Sequence, residues 1–205
     1  MSQLQQQVLT HTKEVPLELR TLLFDEGGKQ NTTPTLEIAR ERALALGIEQ
    51  VVVASSHGFT AREAHRILAP EGIAIVAVQI AHSYEDEGWV MTAEEKAALE
   101  ELGVTVHAGI HALGGVGSAF AEKHGGWTVE RAIRDTFYRF SQGMKVAVEC
   151  LLMASDAGLV AMGREAIAIG GSGEGADTAI VCKPAYARTF HELEIREVLA
   201  KPRIP

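Results

Sequence analysis

Two glycine-containing segments of this 205-residue chain carry the residue types that bind anionic ligands. The first, SSHGFT (residues 55–60), combines hydroxyls, a histidine and a glycine directly ahead of a predicted helix. Backbone amides and the dipole of a helix N-terminus favour negative charge, so this segment is a candidate phosphate site. The alternative is ordinary capping of that helix by Thr60, with Glu63 completing a capping box.

The second segment, GGSGEGADTAIV (residues 170–181), runs directly into a β-branched stretch. A Walker A loop or a dinucleotide fingerprint must lead into a helix, and a serine-hydrolase elbow needs a glycine where Glu174 stands. Two interpretations remain: a loop whose amides meet a ligand, or a tight turn whose glycines supply positive φ. Asp177 is interpreted as an acceptor for ligand hydroxyls or as a cap of that turn.

Other polar positions are weaker candidates for chemistry. His107 and His111 lie four residues apart around a strand end and have no carboxylate or cysteine at ligand spacing, so no metal site is predicted. His111 is interpreted as a polar group that lines a pocket. Lys145, Glu149 and Asp156 form a stripe on an otherwise apolar helix, which indicates a solvated or ion-paired edge. His111 and Glu149 are the candidates for acid–base catalysis.

The elements that must position these residues alternate between buried strands and helices. Apolar runs predict five strands, over 51–54, 73–78, 104–107, 166–170 and 178–182. Helices are predicted from Thr33 to Gly47, after Thr60, from Thr92 to Gly103, from Thr128 to Ser155 with a break near Gly143, and from Phe190 to Ala200. This alternation predicts a mostly parallel sheet. The link 171–177 is too short for a parallel crossover, so the last two strands are expected to form an antiparallel edge.

Composition excludes several classes of partner. The formal charge of −8 provides no basic stripe for nucleic acid. No apolar run approaches the roughly 18 residues that span a bilayer, and the N-terminus has no secretory signal, so neither a membrane nor export is expected. Cys150 and Cys182 are expected to be buried and reduced in the cytoplasm. We predict one domain over residues 1–205, with residues 1–20 as an N-terminal extension.

Longer stretches of the sequence resemble a known family. VVVASSHGFTAREAHRILAPEGIAIVAV and GREAIAIGGSGEGADTAIV are similar, in this order, to two parts of the pyruvate kinase C-terminal domain, whose corresponding loops hold a sugar-bisphosphate effector in allosteric pyruvate kinases. NTTPTLEIARERALALGI and HALGGVG extend the resemblance to stand-alone pyruvate kinase α/β domain-like proteins, which have no assigned reaction and are associated with flavin mononucleotide (FMN). The chain has no room for the catalytic barrel of about 250 residues, so phosphoryl transfer is not expected.

The resemblance implies a fold and a set of binding residues. The implied fold is a three-layer α/β/α sandwich with a five-stranded mixed sheet whose last strand is antiparallel, and the implied cofactor is FMN. Its phosphate is expected on Ser55, Ser56, His57, Gly58, Phe59 and Thr60, near Asn31 and Thr32. Its isoalloxazine ring is expected along His111, Leu113, Gly114 and Gly115, and along Gly171, Ser172, Gly173, Gly175, Ala176, Asp177 and Thr178.

We therefore predict a cytoplasmic binding domain for a small phosphorylated molecule, with FMN as the expected ligand. The alternative is a flavin-dependent oxidoreductase or an acid–base enzyme that acts on a small phosphorylated substrate. Self-association into a homo-oligomer is compatible with the sequence.

Overall fold

The computed structural model describes residues 18–204, so nearly all of the predicted extension (residues 1–20) lies outside the described residues. In the described part, the strands are β1 (Leu22–Phe24), β2 (Gln50–Ala54), β3 (Ala74–Val78), β4 (Thr105–His107), β5 (Ala166–Gly170), β6 (Thr178–Lys183) and β7 (Glu194–Pro202). The α-helices are α1 (Thr32–Leu46), α2 (Phe59–Leu68), α3 (Ala93–Glu101), α4 (Val116–His124), α5 (Val129–Phe137) and α6 (Gln142–Asp156).

All of these strands join one sheet, in the order β1-β7-β6-β5-β2-β3-β4. β6 pairs antiparallel with both β5 and β7, and every other pairing is parallel, so β6 alone runs against its neighbours. The predicted α/β class and its mostly parallel, mixed sheet are confirmed, as is the reversal at residues 171–177. The predicted position of β6 at the edge is wrong, because β7 and β1 lie beyond it.

The sheet has seven strands where five were predicted, and both additional strands lie on the β6 side. The predicted helix from Phe190 to Ala200 is wrong, since β7 occupies most of that range after a 3-10 turn (Ala187–Glu192). Glu, Arg, Leu and Ala in this stretch have good helix propensity. Pairing with β6 on one side and β1 on the other satisfies the backbone of β7, and this tertiary context overrides the propensity.

Helices cover both faces of the sheet, which gives the predicted three layers. One buried cluster joins α1, α2 and α3 to one face, through side chains such as Leu36, Leu68 and Leu99. The other cluster joins the long apolar helix α6 to the opposite face, through Met144, Val148 and Leu151. The helices change faces between β2 and β5, which are adjacent parallel strands at the centre of the sheet. Ligands of open α/β sheets bind outside the carboxyl ends of strands at such a switch point.

The helix boundaries predicted for α1, for the start of α3 and for the break between α5 and α6 agree with the structure. α1 begins at Thr32, one residue before the predicted start, and ends at Gly47 with a left-handed φ of 67°. The capping box of Thr92 and Glu95 is present at the start of α3. The stretch from Thr128 is two helices, α5 and α6, separated just before Gly143.

The capping box predicted for Thr60 and Glu63 is wrong. α2 already begins at Phe59, and Gly58 is its N-cap residue, with no side-chain cap. The amide of Ala61 donates instead to Oγ of the buried Ser55, at 3.2 Å. A hydroxyl six residues upstream therefore does the capping, and Thr60 lies inside the first turn.

Candidate functional site

The predicted binding loops gather at one edge of the sheet. β2, β3, β4 and β5 run parallel, so the segments that follow them all emerge at their carboxyl ends. Residues 55–58, 79–92, 108–115 and 171–177 form these segments. The N-terminus of α6 reaches the same edge, because Ser141 Oγ lies 3.0 Å from Thr178 Oγ1.

The phosphate candidate is a run of backbone amides between β2 and α2. Among the hydrogen bonds within residues 18–204, none uses the amides of residues 56–60 as donors. The flanking amides are occupied: that of Ser55 donates to Val78, that of Ala61 to Ser55, and that of Arg62 to Gly58. Five consecutive N–H groups at the start of α2 thus have no protein acceptor.

A cationic side chain lies beside these amides. Gly58 has a φ of 80°, and a β-carbon placed on it would lie 2.7 Å from Nη1 of Arg62. The same guanidinium donates to the carbonyl of His57 at 3.1 Å. Arg62 follows Gly58 by one helical turn, which brings its positive charge back over the loop.

His57 is held by the segment that follows β3. Its Nδ1 lies 3.1 Å from Glu95 Oε2, and its Nε2 lies 3.0 Å from the carbonyl of Gly88. The hydrogen bond that the Thr92 amide donates to Glu95 lowers the pKa of that carboxyl below its ordinary value, and His57 lowers it further. The imidazole therefore anchors residues 88–95 against the loop.

The glycine loop 171–177 is organised around Asp177. This fully buried carboxylate accepts the amides of Gly28 and Ser172 through Oδ2, each at 2.9 Å, and the hydroxyl of Thr178 through Oδ1 at 2.8 Å. Of the two interpretations offered for Asp177, the structure supports the cap of a turn. Its oxygens are already occupied by the protein's own donors.

Thr32 fastens the same loop to the start of α1, and Asn31, the residue before it, bonds a different segment. Thr32 Oγ1 donates to the carbonyl of Lys29 at 2.7 Å and accepts the amide of Ala176 at 3.0 Å. Asn31 Nδ2 donates to the carbonyl of Glu26 at 2.7 Å. Thr32 Oγ1 and Asn31 Nδ2 are therefore both engaged within the protein.

Lys29 connects the two predicted loops directly. Its Nζ lies 4.4 Å from the ring centroid of Phe59, the first residue of α2, and 3.1 Å from Glu174 Oε2 at the tip of the glycine loop. Lys29 thus bridges residues 55–60 and 171–177, the two segments that the sequence singles out as candidate binding loops.

His111 is packed into an aromatic stack. Its ring lies 5.6 Å from that of Tyr84, and the Tyr84 ring lies 5.7 Å from that of Trp89, with nearly parallel planes in both pairs. The amide of Ala81 donates to His111 Nε2 at 3.2 Å, which requires that nitrogen to be unprotonated. Burial lowers the pKa of His111, and the hydrogen bond favours the same neutral form.

A buried ion pair lies beside His111. Lys145 Nζ contacts Glu149 Oε2, and both residues are less than a tenth exposed. Glu149 Oε1 accepts the amide of Leu113 at 2.9 Å. The predicted polar stripe is therefore ion-paired rather than solvated at these two positions. Asp156, its third member, is exposed and accepts the amide of Ala187 at 3.1 Å.

A groove of about 470 Å³ follows the predicted HALGGVG segment on the α6 face of the sheet. His107, Gly109, Ile110, His111, Ala112, Gly115, Val116, Gly117, Glu130, Met153, Asp156, Ala157 and Ala187 line it. Leu113 is buried and Gly114 turns back towards His111, so neither lines the groove. No residue of 55–60 lines it either.

The larger groove, of about 510 Å³, lies at the opposite side of the sheet between α1 and the strands β1 and β7. The two guanidinium hydrogen bonds from Arg42 to Glu197, at 2.6 and 2.7 Å, neutralise its best-placed charges. None of the predicted site residues lines it.

Metal and thiol chemistry find no support in the described part of the chain. No group of three or more histidine, cysteine, aspartate or glutamate side chains there is placed to hold a metal ion. Cys150 and Cys182 are buried and unpaired, and burial raises the pKa of each thiol to about 12. No helix within residues 18–204 has the length and apolar character needed to cross a bilayer.

Sequence reasoning missed several residues at this edge, among them Lys29, Arg62, Tyr84 and Trp89. Only Arg62 had a usable signal, since a residue four positions after a helix-capping glycine projects back towards that glycine. Lys29 and the two aromatic residues come from segments without periodicity. Their positions depend on contacts with distant loops.

Fold and site together define an α/β protein with a mixed sheet and a polar loop cluster at its carboxyl edge. No protein-family model matches the chain. Two solved structures of pyruvate kinase from Cryptosporidium parvum, one of them in complex with ADP, are similar to it at 14% and 15% identity, with TM-scores of 0.40 and 0.37. The matches cover 76% and 82% of this chain but only 23% and 24% of those kinases, so the chain spans less than a quarter of their length.

Proposed function

We propose that this chain is a binding domain for a small phosphorylated molecule, whose phosphate accepts hydrogen bonds from the amides of residues 56–60. The carrying observation is that these five consecutive amides have no protein acceptor while Arg62 lies beside them. An anion at this position would gain from the amides, from the α2 dipole and from the guanidinium. The chain as a whole carries a formal charge of −8 and would repel an anion. This cluster of hydrogen-bond donors is a local exception that attracts one.

FMN is the phosphorylated molecule that we propose first, because the sequence resemblance implies it. Two observations at the same edge support a flat, polar ring beside the phosphate. Trp89 is 49% exposed and is the outer member of the stack with Tyr84 and His111, so another ring can stack on it. The side-chain oxygen of Gln79, directly after β3, is buried and accepts no hydrogen bond within residues 18–204, so a ligand N–H would satisfy it.

A comparison of FMN with riboflavin tests this proposal, since the two differ only in the phosphate. Charge-assisted hydrogen bonds contribute about 1.5 kcal/mol or more each, so FMN should bind the purified protein roughly tenfold or more tightly than riboflavin. Flavin fluorescence and calorimetric titration both measure this ratio. Equal affinities would refute the phosphate assignment. If inorganic phosphate binds but neither flavin does, the phosphate site stands and FMN is rejected as the ligand.

A second candidate is an enzyme, favoured by the buried pair of Lys145 and Glu149 next to His111. Taking two charges out of water is costly, and buried titratable groups near a ligand edge are typical of acid–base sites. His111, neutral through its hydrogen bond with Ala81, carries its proton on Nδ1, so it would accept a substrate proton at Nε2 only in exchange for the Ala81 amide, and Glu149 would orient the segment that carries His111.

Deuterium exchange distinguishes this enzyme from a binding domain. The protein is incubated in D₂O with dihydroxyacetone phosphate as the probe, and loss of the C–H signal is followed by NMR. An acid–base enzyme that acts on small phosphorylated substrates would accelerate the exchange of the C–H hydrogens for deuterium. His111→Gln would abolish this acceleration. If the protein binds FMN, which carries out electron and hydride transfer, bleaching of the flavin by NAD(P)H would instead indicate an oxidoreductase.

A further inference from the structure

We propose that the face formed by α4 and its flanking segments binds a second copy of this chain, with Trp127 as the anchoring side chain. This inference is independent of the phosphate site, and it adds a partner to the proposed function.

Large apolar side chains are concentrated on this face. Within twenty residues of sequence, five of them are more than 60% exposed. They are Ile110 (75%), Val116 (70%), Phe120 (65%), Trp127 (77%) and Val129 (73%). Exposed apolar groups scattered singly are ordinary, whereas a contiguous patch of this kind marks an interaction surface.

Packing within the face brings these residues together. A β-carbon on Gly115 would lie 3.1 Å from Cγ2 of Ile110, so Ile110 packs against the start of α4. A β-carbon on Gly117 would lie 3.4 Å from Thr128, the residue between Trp127 and Val129. Phe120 follows Val116 by one turn of α4, so both lie on the same side of that helix.

The same face contains a cavity for a large side chain. The groove of about 470 Å³ borders this patch, and Ile110 and Val116 belong to both. Ala112 and Met153 add apolar walls, and Asp156 supplies a carboxylate that can accept the indole N–H of a tryptophan. One molecule therefore carries both the exposed Trp127 and a groove of matching chemistry, which is the requirement for a self-complementary two-fold contact.

Charge also favours a second copy as the occupant. Residues 110–129 contain one acidic and one basic side chain, Glu122 and Lys123, whereas the whole chain carries −8. Two copies that meet here bring few like charges together, since Glu130 and Asp156 of the groove would face apolar side chains of the other copy. A lipid surface is disfavoured by the lack of clustered cations. The five side chains expose on the order of 500 Å². This is more than half of the roughly 800 Å² that each partner buries in an interface of standard size.

The test measures molecular mass against concentration by analytical ultracentrifugation. Wild type should dimerise reversibly, and Trp127→Ser should weaken the dimer by about thirtyfold, as expected for loss of an anchoring aromatic side chain. Leu44→Ser is the matched control, since Leu44 is 53% exposed on α1 and should not affect the dimer. A monomer at all concentrations, or equal effects of the two substitutions, would overturn the proposal.

Cross-linking provides a second measurement that does not depend on affinity. Both native thiols are buried and have a pKa of about 12, so a cysteine introduced at the surface is the reactive one. A bifunctional maleimide, which spans a longer distance than a disulfide, should join two copies of Val129→Cys more rapidly than two copies of Leu44→Cys. Equal rates for the two variants would show that the face has no preferred partner copy.

Discussion

The guanidinium of Arg62 covers Gly58, with Nη1 2.7 Å from the point where a β-carbon on that glycine would lie. The φ of 80° at Gly58 favours glycine at this position, and the guanidinium puts a positive charge beside five amides that have no protein acceptor. The predictions about binding follow from this arrangement.

Arg62→Gln should weaken the binding of FMN by about tenfold, because one charge-assisted interaction with the phosphate is lost. The loss should shrink as ionic strength rises, since Arg62 is exposed and its field is screened. Titration at two salt concentrations checks both statements. Arg66→Gln, on the same helix but paired with Glu63, is the control and should leave the affinity unchanged.

Gly58→Ala should weaken the binding of FMN by about tenfold or more, because the new methyl group displaces Arg62 and strains a residue with a φ of 80°. Gly47→Ala is the matched control: it also places alanine at a left-handed helix end, with a φ of 67°, but in open space. Both variants should lose roughly 1–2 kcal/mol of unfolding free energy through the left-handed conformation. Retention of FMN affinity in Gly58→Ala would contradict the assigned loop.

Asp177→Ala should destabilise the fold by about 2–3 kcal/mol, because it leaves buried donors without an acceptor. Asp177 accepts from the amides of Gly28 and Ser172 and from the hydroxyl of Thr178, and all of these groups would lose that acceptor. Chemical denaturation measures the difference. Glu174→Gln, at the exposed tip of the same loop, should have no measurable effect.

The free energy of unfolding should fall as the pH drops below about 6.5, in part because of His111. Burial holds the pKa of His111 in the folded protein below its unfolded value of about 6.5. Between those two values the unfolded chain binds a proton that the folded chain does not, so acid favours unfolding. His111→Gln can still accept the Ala81 amide and should flatten this dependence. An unchanged slope across a pH series of denaturation curves would exclude His111 as its source.

The central sheet could be predicted from the sequence because its strands are short, β-branched and buried on both faces. β2, β3 and β5 have this character, and the length of the link 171–177 alone predicted the reversal into β6. β1 has only three residues, and β7 mixes charged and apolar side chains, so neither stands out locally. Their pairing with each other and with β6 is a tertiary effect that no local pattern contains.

The loops of the site could be predicted for the same reason, since each follows a buried strand. The roles of individual residues could not. The turn-cap interpretation of Asp177 was available from the sequence, but its second partner, the amide of Gly28, is 149 residues away along the chain, and Lys29 bridges Phe59 and Glu174. Contacts of this kind depend on the folded arrangement of distant segments.

The most direct test of the central proposal is a titration of the ¹⁵N-labelled protein with inorganic phosphate, followed through backbone amide chemical shifts at constant ionic strength. The amides of residues 56–60 should show the largest shifts, chloride at the same ionic strength should not reproduce them, and Gly58→Ala should require a phosphate concentration about tenfold or more higher to produce them. Shifts concentrated elsewhere, or none at residues 56–60, would contradict phosphate binding at this loop.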